Sequence, residues 1–268
     1  MSLMLKTVQT KNSKVTYFVC GQGASICLLP SSGRGGRDFF KLAVVLEELG
    51  FQVIAPNPPG VEGSSTDNNS PDFHDLAADA VAAISNETDK CIVAGHAFGN
   101  WIARTIASTY SLATGLVLIA AGAKQWPANL SSAIDCLASE SATTEERLAA
   151  LRLAFFTQQY FKNRGQPDDW LNGWYPQLIE IQRNARIATD INSWWHSGSV
   201  PILDLIALQD PFRPEDSYAD YTSDFGRRTT IATIDQASHA LPYEQPAAVA
   251  NAIYEWSLRV NLTGVRNA

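Results

Sequence analysis

Lys90-Cys91-Ile92-Val93-Ala94-Gly95-His96-Ala97-Phe98-Gly99-Asn100-Trp101 decides how the rest of the chain is read. An apolar run ends at Ala94, glycines flank a tight turn, and Ile102, Ala103, Ile106 and Ala107 follow at helical spacing. The pattern predicts a buried strand that bends abruptly into a helix. Gly95 and Gly99 suit that bend because a side chain at either position would collide with the neighbouring strand or helix. The residue between them, Ala97, carries no nucleophilic group.

Upstream, residues 5–10 and 15–19 read as a hairpin about Lys11-Asn12-Ser13-Lys14, an antiparallel entry into a sheet. Residues 25–29 and 52–55 read as strands. Residues 38–49 form a helix with Phe39, Leu42, Ala43, Leu46 and Leu49 on one face, and residues 72–84 form a second helix capped by Asp72. After the turn at Ala97 come its helix, to about Tyr110, and a strand over 115–119. Strands alternating with helices of this length predict a mostly parallel sheet covered on both faces.

The alternation stops after Ala121-Gly122. Residues 124–199 read as helical and hold Trp126, Trp170, Trp174, Trp194 and Trp195, with Phe155, Phe156, Tyr160 and Phe161. Such a segment either lines an apolar pocket with its indoles or uses them to hold its own helices together, and both readings stay open. Strands resume at 201–208 and 229–234, and a helix over 247–260 turns Val249, Ile253, Trp256 and Val260 inward. Residues 1–122 and 200–268 thus make one core interrupted by residues 123–199.

Composition narrows the function classes. With 46% hydrophobic and 18% charged residues, the 268-residue chain can bury a sizeable core. A net charge of −7 gives no footprint for nucleic acid or an anionic membrane. Cys20, Cys27, Cys91 and Cys136 lack metal-site spacing and read as free thiols; no two histidines lie at metal-ligating spacing, so no metal or cofactor is expected. No window approaches the ~20 apolar residues of a membrane span, and a cytoplasmic location is the default. A small-molecule substrate is the expected partner, with a homodimer left open.

Asp210 lies just past one strand and His239 just past the next, at the carboxyl ends of parallel strands where catalytic groups gather. The order of glycine-flanked turn, acid and histidine, with Ser238-His239-Ala240-Leu241-Pro242-Tyr243-Glu244-Gln245-Pro246, resembles the α/β-hydrolase superfamily in its lipase, esterase and carbon-carbon hydrolase branch. The resemblance implies an α/β-hydrolase fold: a mostly parallel eight-stranded sheet flanked by helices, with a helical cap inserted after the sixth strand. It makes Ala97 the nucleophile position, His239 the base and Asp210 its orienter. It puts an oxyanion hole at the backbone amides of Phe98 and Ser32, the latter in Pro30-Ser31-Ser32-Gly33-Arg34-Gly35-Gly36. Asn57-Pro58-Pro59-Gly60-Val61-Glu62-Gly63-Ser64 resembles a structural turn of the family. Substrate contacts are expected from Ser31, Arg34, Trp126, Trp170, Trp174, Trp194 and Trp195. Arg34 meets a substrate anion on one reading and solvent on another. His96 is expected to pack beneath the turn.

Ala97 departs from the pattern. Removing a triad serine costs on the order of a million-fold in turnover. Ala97 therefore replaces a parental serine of an ester, lactone or carbon-carbon hydrolase, or is natural beside a His239–Asp210 general base acting without a covalent intermediate, or belongs to a ligand-binding pseudoenzyme. Further departures at Pro30-Ser31, Asn57 and Glu62 favour a natural alanine. The expected substrate is a small, largely apolar carbonyl compound.

Overall fold

The computed structural model describes residues 3–123 and 127–262. Its strands are β1 (Met4–Gln9), β2 (Ser13–Cys20), β3 (Ala24–Leu29), β4 (Phe51–Pro56), β5 (Ser65–Thr66), β6 (Cys91–His96), β7 (Ala113–Ile119), β8 (Ile202–Ala207) and β9 (Thr229–Ile234). They form one sheet in the order β1-β2-β4-β3-β6-β7-β8-β9, with the short β5 paired to β2. The hairpin β1-β2 enters antiparallel, as does β2 on β4, and every pair from β4 to β9 is parallel. The sheet therefore has one strand more than the eight expected, because β5 is a two-residue bridge too short to leave a periodic signal.

The helices are α1 (Phe40–Glu48), α2 (Phe73–Ser85), α3 (Gly99–Thr109), α4 (Ala128–Ala138), α5 (Thr144–Ala154), α6 (Gln158–Arg164), α7 (Asp168–Leu171), α8 (Pro176–Ala188), α9 (Asp220–Phe225), α10 (Leu241–Glu244) and α11 (Pro246–Arg259). Asp72 caps α2 as expected: its carboxylate accepts the Asp75 amide at 2.9 Å, and the Asp75 carboxylate accepts the Asp72 amide at 3.1 Å. The α9 segment, Asp220–Phe225, gave no sequence signal because it is a short polar turn with only Tyr221 and Phe225 buried.

The continuous apolar runs of the central strands split by alternation onto two faces. On one face Ile26, Leu28, Ile92, Ala94, Val117 and Ile119 pack with Leu42 and Leu46 of α1 and Val249, Ile253 and Trp256 of α11. Their sequence neighbours Cys27, Leu29, Cys91, Val93, Leu116 and Leu118 pack on the other with α2 and α3. Helices α4 to α8 lie between β7 and β8 in sequence and share a third apolar cluster with Phe212, Ala240 and Tyr243. Cys20, Cys27 and Cys91 are buried free thiols and Cys136 is half-buried. Among the described residues no helix is long and apolar enough to cross a membrane, and no group of three His, Cys, Asp or Glu could hold a metal ion.

The strand order fixes where a ligand can sit. From β3 the chain passes to β4 on one side and later to β6 on the other, so the loops leaving β3 and β6 diverge at their carboxyl ends and open a crevice.

One buried charge cluster lies in this frame. Asp204, inside β8, accepts a 2.9 Å bond from Arg213, which also donates to the Ala121 carbonyl at 3.0 Å. Burial lifts the Asp204 carboxyl from 3.8 to about 6 despite Arg213 and Arg104 nearby. A carboxyl raised on folding contributes stability that is complete below 3.8 and is lost as the pH rises through about 6. Urea denaturation should thus show the stability of the unmodified chain, relative to Asp204→Asn, falling by about 3 kcal/mol across that window. A difference that stays flat or rises with pH would contradict this.

Candidate active site

The turn between β6 and α3 is built by close approach. A Cβ on Gly95 would stand 2.3 Å from the Gly99 carbonyl carbon, and one on Gly99 would stand 2.2 Å from the Leu29 carbonyl oxygen. Neither position has room for a side chain. Between them Ala97 takes a left-handed conformation, φ +49°, which costs an L-residue about 1–2 kcal/mol. Its amide donates to the Ile119 carbonyl at 3.1 Å and its carbonyl accepts the Asn100 amide at 3.1 Å. The Asn100 side chain donates to the same carbonyl. These bonds aim the Ala97 methyl into a cavity and leave Phe98 at the start of α3.

Asp210 and His239 come together from the loops after β8 and β9. His239 Nδ1 lies 2.8 Å from Asp210 Oδ2, with both side chains buried. Asp210 Oδ1 accepts the Phe212 amide at 2.8 Å, so both oxygens are engaged. With a carboxylate on Nδ1 the proton sits there, and Nε2 is the basic nitrogen. The Phe212 ring lies against the imidazole, tilted by 31° with 4.1 Å between centroids. From beneath, His96 Nε2 donates to the His239 carbonyl at 2.6 Å. Burial, with His239 close by, pulls His96 down to about 3, so it is neutral at physiological pH.

The His239 loop is also tied to the helices after β7. The Ala240 amide donates to the Phe155 carbonyl at 2.8 Å. The buried Glu244 carboxylate accepts from the Ser238 amide at 2.6 Å and from the Thr157 amide and hydroxyl, both at 2.9 Å.

Ser31, Ser32, Ala97, Phe98 and His239 line one cavity of about 140 Å³, with Asp210 behind the imidazole. Not every residue expected at the substrate is there. Arg34 is neither at the cavity nor in solvent: it is buried, paired with Asp38 at 2.6 and 2.8 Å, donating to the Asp169 and Asn172 carbonyls, and lying over Trp170 and Trp174 at 4.6 and 4.9 Å. Those two tryptophans pack in the third cluster, Trp174 donating its indole N–H to the Trp170 carbonyl at 2.7 Å. Trp194 and Trp195 border an adjoining cavity of about 410 Å³ that shares Trp101, Gly122 and Arg186 with the first and also touches the exposed His196. Trp126 lies outside the described residues.

Other residues in the lining escaped the sequence reading: Trp101, Phe155, Phe212, Gln182, Arg183 and Arg186. Trp101 had a signal, since it lies in the first turn of the helix that leaves the Ala97 turn. Gln182 did not: its side-chain oxygen accepts the Gly33 amide at 2.8 Å and the Ser32 hydroxyl at 3.0 Å across 149 and 150 residues of chain.

Comparison with known proteins now identifies the family. Residues 26–252 match the alpha/beta hydrolase family, and the chain belongs to it. Solved structures of the same fold include a hydrolase from Pseudomonas aeruginosa PA01, with 17% identity, a TM-score of 0.77, and 94% of this chain and 97% of that one covered. A thermophilic esterase from Thermogutta terrifontis has 19% identity and a TM-score of 0.75, covering 97% and 99%. Epoxide hydrolase A from Mycobacterium thermoresistibile has 15% identity and a TM-score of 0.67, covering 95% and 98%. Identities this low establish the fold alone. No curated protein matches the sequence.

Because the turn depends on backbone contact at residue 99, Gly99→Ala should destabilise the protein by about 3 kcal/mol or more, or prevent folding. Thermal denaturation measures this, and a cost below about 1 kcal/mol would show that the turn can relax.

Proposed function

We propose that this alpha/beta hydrolase family member hydrolyses a small, largely apolar carbonyl compound, an ester, lactone or activated carbon-carbon bond, with His239 as general base. The observation that carries the reading is the 2.8 Å His239–Asp210 pair, whose imidazole borders the same cavity as Ala97, Ser32 and Phe98. A cavity of about 140 Å³ resembles in size one that holds a single aromatic ring, which suits a short acyl or monocyclic substrate. The segment 123–199 acts in this reading as a cap, because α4, α8 and Phe155 supply Ser131, Ile134, Gln182 and two arginines to the cavity lining.

The chemistry follows from what Ala97 lacks. With no hydroxyl at 97, water takes the place beside His239. Nε2 removes a proton from the water as its oxygen adds to the carbonyl carbon, and Asp210 stabilises the imidazolium that forms. The carbonyl oxygen becomes an oxyanion facing the amides of Ser32 and Phe98 at the positive end of α3. Collapse breaks the bond to the leaving group, which takes the proton back from the imidazolium. No acyl-enzyme forms, so the reaction is far slower than one with a serine at 97.

Turnover of a panel of short acyl esters and lactones tests this. His239→Ala should lower the rate by roughly 10²- to 10⁴-fold. Equal rates in the two proteins would sink the proposal and leave a chain that binds without reacting.

A second reading is favoured by one observation: the turn keeps its left-handed residue and both close-packed glycines although no hydroxyl uses them. On that reading the turn is a nucleophile elbow waiting for a serine. Ala97→Ser should then gain covalent labelling by a fluorophosphonate and at least a hundredfold in ester turnover, on the order of the cost of losing a triad member. A folded serine variant that stays unlabelled would exclude it.

A further inference from the structure

Among the described residues the ionisable ones bordering the cavity are His239, Arg183 and Arg186, with no aspartate or glutamate. The two arginines stand three positions apart on α8 and so share one face of the helix. Both are exposed at the rim, Arg183 paired with Asp135 of α4 and Arg186 with its guanidinium 4.9 Å over the Trp101 ring. The chain carries a net charge of −7, which repels small anions at long range. Asp135 offsets part of the Arg183 charge, yet the two guanidinium groups are the cationic side chains that the described residues bring to this largely apolar cavity.

We infer that the substrate carries a carboxylate, held at the cavity rim by Arg183 and Arg186 while its apolar body fills the space between them and His239. The inference rests on the reading of this cavity as the substrate site. Arginine forks fit a carboxylate with paired N–H donors. The next residue along α8 makes the placement consequential. Gln182 accepts the Gly33 amide and the Ser32 hydroxyl, so the helix that would grip the carboxylate is also bound to the loop whose Ser32 amide faces the reacting oxygen. An anion on α8 would be in fixed register with the oxyanion site.

Calorimetric titration with phenylacetate and 3-phenylpropionate, each against its neutral amide, tests this without requiring turnover. A silent His239→Ala experiment would therefore count against the catalytic reading and leave this one standing. Each acid should bind at least about tenfold more tightly than its amide, the scale of one charge-assisted hydrogen bond. The preference should vanish in the double variant Arg183→Gln/Arg186→Gln, while affinity for the amides is retained. Added salt should weaken the acids and not the amides. Equal affinity for acid and amide, a preference that survives the double substitution, or no binding by any of the four compounds would overturn the inference. So would tighter binding of phenyl phosphate than of either acid, which would move the assignment to a phosphate.

Discussion

Backbone contact at Gly99 is the constraint on which the rest of the site depends. The first turn of α3 lies against the Leu29 and Pro30 carbonyls, closer than any side chain permits. Strand β6, the start of α3 and the exit from β3 are thereby fixed to one another. Ala97 then has to turn the chain with a positive φ, and the loop carrying Ser31 and Ser32 has to leave beside Phe98. The cost of the left-handed residue is met by the surrounding bonds: Ala97 is held through its amide by β7 and through its carbonyl by Asn100.

The second half of the site is assembled from loops, and loops need anchors. Asp210 has one oxygen on His239 and the other on the Phe212 amide, which fixes the carboxylate plane. The His239 loop is held at three places: by His96 from below, by Phe155 at the Ala240 amide, and by Glu244, which joins Ser238 to Thr157. Two of these anchors belong to the helices between β7 and β8. Where they cross Phe155 and Thr157, those helices share hydrogen bonds with the His239 loop, so movement there would disturb the imidazole. If the segment opens to admit a substrate, the hinge has to lie elsewhere along it.

What the sequence could reveal was local. The alternation of apolar runs and amphipathic helices gave the layers, and the two glycines about Ala97 gave the turn, because each signal lies within a dozen residues. The order of Ala97, Asp210 and His239 suggested the pairing through a resemblance, and His239 Nδ1 lies 2.8 Å from Asp210 Oδ2. Arg34 shows where this reading fails. Beside three glycines it read as a loop cation, free for a substrate or for water. Asp38, one helical turn on, and the Asp169 and Asn172 carbonyls and two indole faces contributed from far along the chain consume its charge and its donors. Trp170 and Trp174 show the same limit: an indole signals large buried area, and nothing in its spacing says whether it faces a cavity or another indole. Gln182, Arg183 and Arg186 sit in an ordinary polar helix face that becomes a rim only when α8 is laid against the loop after β3.

His96 completes the electrostatics. Two imidazoles lie 5.7 Å apart, and if both could take a proton, charging His239 would be opposed by the other. Full burial removes that competition by holding His96 neutral down to a pH of about 3. Its Nε2 hydrogen is committed to the His239 carbonyl, which fixes the tautomer and leaves Nδ1 without a hydrogen-bond partner among the described residues. A neutral donor there supports the backbone of His239 without placing a charge beneath its ring. In the proposed mechanism, positive charge on His239 is then balanced by Asp210 alone, and the arginines at the rim are left to act on the substrate.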